Sequence, residues 1–361
     1  MRKYYLDNIR WMTVVLVVVY HVIYMYNAEG IPGVVGKITE LDVQYYDLYQ
    51  YIVYPWFMIL LFMVSGICSK LYLDTHSEKE FVRSRTRKLL VPGTIGLFAF
   101  QFIQGLVNAS LSNVLTEPGV PAFVRVIAVI LSGSGVLWYI QLLWLFSMVL
   151  IPIRKLEGGR LTGLCKKTGI IGLLILFIPA YAAAQILNTP IVVVYRFGYY
   201  FFAFILGYFV LSNDEVVDVL KKWFPLFAGL ALVTGTAFCI MYFGQNYADN
   251  PAYRSVLFVT YGYAASFAVT GGMANYGDFK NSFTEWMSKR SFGLYVFHYL
   301  GISSVGLLLA RPGIINAPAA YFLSLTAGFG LAYLLNAVIS RIPFFRWAVL
   351  GIKKEEKPNV Q

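Results

Sequence analysis

Groups able to do acid–base chemistry near neutral pH are scarce here: 361 residues hold three histidines, His21, His76 and His298. His21 follows Arg10 by eleven positions. In a helix that spacing leaves the two side chains about 20° apart, with about 16 Å of rise between them. Asp7, earlier in the same stretch, falls about 40° from His21 on the same side. One stripe would therefore present a carboxylate, a guanidinium and an imidazole. Arg10 could hold an anion at one end while His21 handles a proton deeper in. The plainer alternative makes Arg10 an interfacial anchor and His21 a buried histidine bonded to a neighbouring helix.

A second group is cationic. Arg83, Arg85, Arg87 and Lys88 stand just before Pro92. Guanidinium forks match phosphate oxygens bidentately, whereas lysine offers a point charge. Such a cluster suits a polyphosphate ligand such as coenzyme A, or equally topology control and contact with anionic lipid head groups. A third group, Ser291, Tyr295 and His298, is spaced i, i+4 and i+7 on one helical face. It would line a polar channel or pair across helices. Trp138, Tyr139 and Gln141 read as an aromatic belt or as aromatics facing a sugar. Ser65 and Gly66 read as a small-residue contact between helices. His76 reads as a surface histidine in a charged loop, and Arg125 and Arg196 lie toward the opposite ends of the helices. Cys68, Cys165 and Cys239 lack C-x-x-C spacing, so neither a disulfide framework nor a metal site is expected.

These groups need elements to carry them, and composition names the kind. The chain is 58% apolar and 13% charged, against about 45–50% and 25% in soluble domains. That excludes an ordinary soluble enzyme and a disordered chain, and leaves an all-α, polytopic membrane protein. A crossing needs about 20 apolar residues. About ten stretches qualify: 11–27, 50–69, 91–109, 136–153, 169–187, 191–211, 223–243, 255–274, 292–310 and 317–340. The run 122–134 is too short to span comfortably and reads as re-entrant, interfacial, or an extension of the fourth helix. Ten crossings put both termini on one side. With the N-terminus inside, 24 of 29 basic residues face the cytoplasm, and only Lys37, Arg125, Arg196, Arg254 and Arg311 do not. This asymmetry accounts for the net charge of +11 without nucleic acid as a partner. The first apolar run is long and lacks an A-x-A site, so it reads as a retained helix rather than a cleaved signal. One membrane domain, 1–345, is expected, followed by a basic cytoplasmic tail, 346–361.

Taken together, these segments resemble the acyltransferase 3 family of integral membrane acyltransferases. Leu6, Asp7 and Arg10 followed by His21 look like its L-D-x-[LI]-R and R-x10-H signatures. Arg85 to Lys88 resembles its R-x-x-R motif, although Lys88 stands where the second arginine is usual and Arg87 adjoins it. The stretch 62–68 resembles its F-F-x-x-S-G segment, 137–142 its L-W-F-L segment, and 291–298 its S-x-x-x-Y-x-x-H segment. Val136 occupies a place where the family often carries histidine, so no role passes to that side chain. The similarity runs from about residue 4 to about residue 345, and implies a stand-alone form without the fused extracytoplasmic hydrolase-like domain of some members.

What the resemblance implies is an O-acyltransferase using acetyl-CoA or another short acyl-CoA from the cytoplasm, with no metal. Its phosphates would meet Arg10, Arg85, Arg87 and Lys88. His21 would be the general base, or carry the acyl group covalently. Asp7, grouped with His21 as a catalytic candidate, would orient Arg10 or shape the inner mouth. Ser291, Tyr295, His298, Trp138 and Tyr139 would line the substrate path. The acceptor would be a hydroxyl of a cell-surface glycan or a lipid-linked molecule, and the location a prokaryotic inner membrane surrounded by lipid. A carrier exporting an anionic metabolite is the rival reading of the same residues; a non-enzymatic scaffold would leave Asp7, Arg10 and His21 unexplained.

Overall fold

The computed structural model describes residues 2–27, 33–39, 47–112, 121–189 and 195–353. The described residues are 80% helical. Among the described residues the only strand-like pairing is a single bridge, Asn188 with Arg196. Helices are what apolar sequence must form in lipid, where every backbone N–H and C=O needs a partner within the segment.

Among the described residues eight helices are long and apolar enough to cross a membrane: α1 (Tyr4–Met25), α2 (Leu48–Leu73), α3 (Glu78–Leu111), α5 (Gly135–Glu157), α8 (Phe224–Tyr242), α9 (Val256–Tyr276), α10 (Ser282–Ala310) and α11 (Ala317–Ile339). Three shorter apolar helices accompany them: α4 (Ala122–Ser132), α6 (Ile170–Gln185) and α7 (Phe197–Leu211). Eight of the ten expected crossings thus correspond to helices of crossing length, while 169–187 and 191–211 correspond to the shorter α6 and α7, with 191–194 outside the described residues, and the protein is a multi-pass membrane protein. The run 122–134 is neither a crossing nor an extension of the following helix. It forms the separate helix α4, followed by a 3-10 turn over Gly135–Leu137.

The chain divides into two compact units. The first comprises Met1–Leu16, Tyr45–Val82 and Leu145–Ser288. Within it α2 and α7 cross at Gly66 and Gly207. A Cβ on Gly66 would lie 2.0 Å from the Phe204 carbonyl oxygen, and one on Gly207 2.0 Å from that of Met63. The expected small-residue contact at Ser65–Gly66 is therefore a backbone-to-backbone approach. Segments assigned by charge to the inner side pair with one another: Lys3 with Asp214, Arg154 with Glu78 at 3.2 Å, and Lys166 with Glu215 at 3.0 Å. Segments assigned to the outer side also meet. Arg196, only 2% exposed, donates to the Tyr54 hydroxyl and the Ala248 carbonyl, both at 2.9 Å. Its guanidinium lies 4.2 Å from the Tyr253 ring centroid.

The second unit comprises Val17–Gln44, Arg83–Trp144 and Lys289–Gln361. Here α4 lies tight on α3, since a Cβ on Gly105 would fall 1.9 Å from the Val129 carbonyl. Residues 343–350, spanning the expected start of the tail, form a helix, α12 (Pro343–Leu350). It packs on α3, with Gly96 against the Ala348 carbonyl and Gly351, at positive φ, against the Arg87 carbonyl. The remainder of that tail, 354–361, lies outside the described residues.

Candidate active site

The second unit brings His21, on α1, to His298, on α10. The Nδ1 of His21 lies 3.0 Å from Nε2 of His298. Each ring is also tied to its own helix. His21 Nδ1 is 2.9 Å from the Val17 carbonyl, and His298 Nδ1 is 2.8 and 3.2 Å from those of Tyr295 and Leu294. His298 is fully buried, whereas His21 keeps partial exposure. The Tyr299 ring meets His21 edge-on at 5.3 Å between centroids, as does that of Tyr20. Tyr295 and His298 both make contacts across helices. Tyr295 donates its hydroxyl proton to the backbone carbonyl of Val136. The Tyr139 ring lies 6.0 Å from that of Tyr295, and Trp138 is edge-on to Tyr139. Ser291 is half-buried on the same helix, seven residues before His298.

The cationic cluster also belongs to this unit. Arg87 and Lys88 lie in a π-helical turn, Thr86–Leu90, within α3. Such turns carry an extra residue and are frequent at functional sites. The Trp144 indole N–H donates to Thr86 at 3.2 Å and Gln141 donates to the Gly93 carbonyl at 2.9 Å, fixing this stretch of α3 against α5. Nε of Arg87 is buried and has no hydrogen-bond partner.

Farther along α3 lies a polar ladder that the sequence motifs do not include. Gln101 donates to the Val296 carbonyl at 3.1 Å. Gln104 donates to Ser303 at 2.9 Å and to Asn108 at 2.7 Å, and Asn108 donates to the Ser132 carbonyl at 2.9 Å. A signal for it is present: amides at 101, 104 and 108 share one face of an otherwise apolar helix. From Lys88 to Gln101, which touches the backbone two residues before His298, α3 rises about 20 Å.

Asp7 and Arg10 belong to the first unit. Asp7 accepts from Arg2 at 2.7 and 2.9 Å and from Arg10 at 3.2 Å. It stands about 21 Å of helix rise from His21, and its contacts are with arginines. His76 is exposed and stacks on Tyr72. Among the described residues no group of His, Cys, Asp or Glu has the arrangement of a metal site.

A search of the curated proteins finds no match, and neither does one of the solved structures. A family model described as an acyltransferase domain matches residues 3–337, nearly the whole chain. The intramembrane histidine pair, the cationic turn and this match lead to one conclusion: the chain belongs to the acyltransferase 3 family and is a multi-pass membrane acyltransferase.

Proposed function

We propose that this protein transfers an acyl group, expected to be acetyl, from cytoplasmic acyl-CoA to a hydroxyl of a cell-surface glycan, glycolipid or related acceptor, within a prokaryotic inner membrane. The observation that carries the reading is the half-buried imidazole of His21. Its Nδ1 is engaged, and its Nε2 has no hydrogen-bond partner among the described residues. Nε2 takes the proton of the acceptor hydroxyl as that oxygen attacks the thioester carbonyl. The tetrahedral intermediate then collapses, the C–S bond breaks, and coenzyme A leaves as the thiolate, which takes up a proton. A positioned base of this kind contributes typically 10²–10⁴-fold.

The donor's phosphates are assigned to Arg85, Arg87 and Lys88. Support comes from the unpartnered Nε of Arg87, which a phosphate oxygen would satisfy by a charge-assisted bond. The rise of α3 from this cluster toward Gln101 gives the extended donor a direction toward the histidines. On α1, Arg10 is assigned as a further anion contact, and Asp7 as the group that orients it rather than a participant in bond making. Tyr139, Tyr295, Trp138 and Ser291 are assigned to the acceptor's path. No step in this scheme calls for a metal.

The test is thiol release from acetyl-CoA by purified protein in nanodiscs, with and without a crude surface-glycan extract. Wild type should release thiol in an acceptor-dependent way. His21→Ala should not, while still binding the donor. A His21→Ala protein that keeps wild-type turnover sinks the assignment of His21 as base. No turnover by folded wild type with any short acyl-CoA and a broad acceptor panel would refute the proposed donor chemistry.

A further inference from the structure

We propose that His298 is a positioning residue that sets the tautomer of His21 and supports its charge, in the place a carboxylate would hold in a carboxylate–histidine pair. This rests on the reading of His21 as the base. The argument is one of hydrogen-bond inventory. A carbonyl oxygen only accepts, and a neutral imidazole carries one N–H and one bare nitrogen. His298 Nδ1 faces two carbonyls, at 2.8 and 3.2 Å. A lone pair there would confront theirs, so Nδ1 of His298 carries the proton and its Nε2 is bare. His21 Nδ1 faces the Val17 carbonyl at 2.9 Å and that bare Nε2 at 3.0 Å. It therefore also carries its proton, shared between two acceptors in a three-centre bond. What remains is a single basic site, Nε2 of His21.

The arrangement also suits the state that follows proton uptake. Once His21 Nε2 takes the acceptor's proton, the ring is a cation whose Nδ1–H already points at two acceptors. No group has to turn. Three backbone carbonyls and one imidazole lone pair then face the two rings. Among the described residues no carboxylate approaches either of them. Such preorganised dipoles in a site shielded from water are worth more than they would be in solvent. A neutral partner also avoids leaving an unpaired buried anion in the resting state, which lipid would penalise heavily. The two histidines are 277 positions apart in sequence, and their pairing exists only through the packing of α10 on α1.

With three histidines in the chain, the experiment is tractable on the full protein. In ¹⁵N-histidine-labelled protein in lipid, with exposed His76 replaced by Gln, solid-state NMR reads both remaining rings. Both should be Nδ1–H tautomers, with His21 Nε2 in the bare form. His298→Gln places an amide oxygen near the position of Nε2 and should keep the Nδ1–H form of His21 and most of kcat. His298→Leu removes the acceptor and should lower kcat by about 10²-fold, the lower range for a misplaced base, with KM for acetyl-CoA unchanged. An Nε2–H ring at His21 in the parent protein overturns the proposal. So does a His298→Leu protein that folds and keeps its kcat when His21→Ala abolishes it. If His21→Ala is itself active, the base reading has failed, and the tautomers read by NMR still decide the hydrogen-bond assignment.

Discussion

At the scale of single residues, neighbours of similar type are separated by what surrounds them. Arg87 and Lys88 adjoin in a π-helical turn, yet Arg87 holds a buried, unpartnered Nε while Lys88 is exposed. Arg87→Ala is expected to raise KM for acyl-CoA about tenfold, the loss of one charge-assisted hydrogen bond, with kcat nearly unchanged. Steady-state kinetics with donor varied would read this, and an unchanged KM would remove Arg87 from the donor site. Arg196 illustrates a different use of the same side chain. Its planar group is enclosed by Tyr54, Tyr253 and Phe258 and donates to a hydroxyl and a carbonyl. The substitution Arg196→Met strands both acceptors, so a loss of about 1.5–3 kcal/mol is expected, visible as a lowered melting temperature in detergent. A variant as stable as wild type would show that the enclosure contributes nothing. That Arg196 is buried was not legible in the sequence, because exposure depends on the residues brought over it from positions 54, 248 and 253.

Among elements, glycine decides how close two helices come. The Gly66–Gly207 crossing has no room for a side chain on either helix, so Gly66→Val must push α2 and α7 apart. The cost is about 3 kcal/mol, at the upper end for overpacking because the clash is with backbone. Thermal unfolding of the purified variant would measure it, and a wild-type midpoint would contradict the contact. The sequence motif was sufficient here, since small residues in an apolar helix have few other purposes. Arg346 and its neighbours look like a basic tail, yet α12 buries Ala348, Val349 and Leu350 and brings Gly351 against the turn that carries Arg87. Gly351→Val, strained at positive φ and crowding that carbonyl, is expected to weaken donor binding several-fold. Direct titration with acetyl-CoA should detect it. Full affinity would mean that α12 does not support the cationic turn.

For the molecule as a whole, charge and apolar length carry the architecture. The 24-to-5 split of basic residues predicts an orientation with the N-terminus inside. The ion pairs of Lys3, Arg154 and Lys166 join segments that this rule puts on one side. Single cysteines at Lys167 and Asn246, in a background lacking Cys68, Cys165 and Cys239, should therefore react oppositely with a membrane-impermeant maleimide. In intact cells Asn246→Cys should label and Lys167→Cys should not. The reverse pattern would invert the topology and, with it, the side from which the donor enters.

The sequence by itself determined the class of protein, its apolar stretches and the motifs shared with the family. These properties follow from local composition, because lipid imposes the same demand on every span: apolar side chains outside and backbone bonds within. It also marked His21, Arg87 and His298 as costly polar residues in an apolar chain. Only the tertiary structure decided what they touch. His21 meets His298 across 277 positions, Tyr295 finds the Val136 carbonyl, and Gln104 finds Ser303. Hydrogen bonds act over about 3 Å, so their partners are set by which helix faces meet, and no local pattern encodes that.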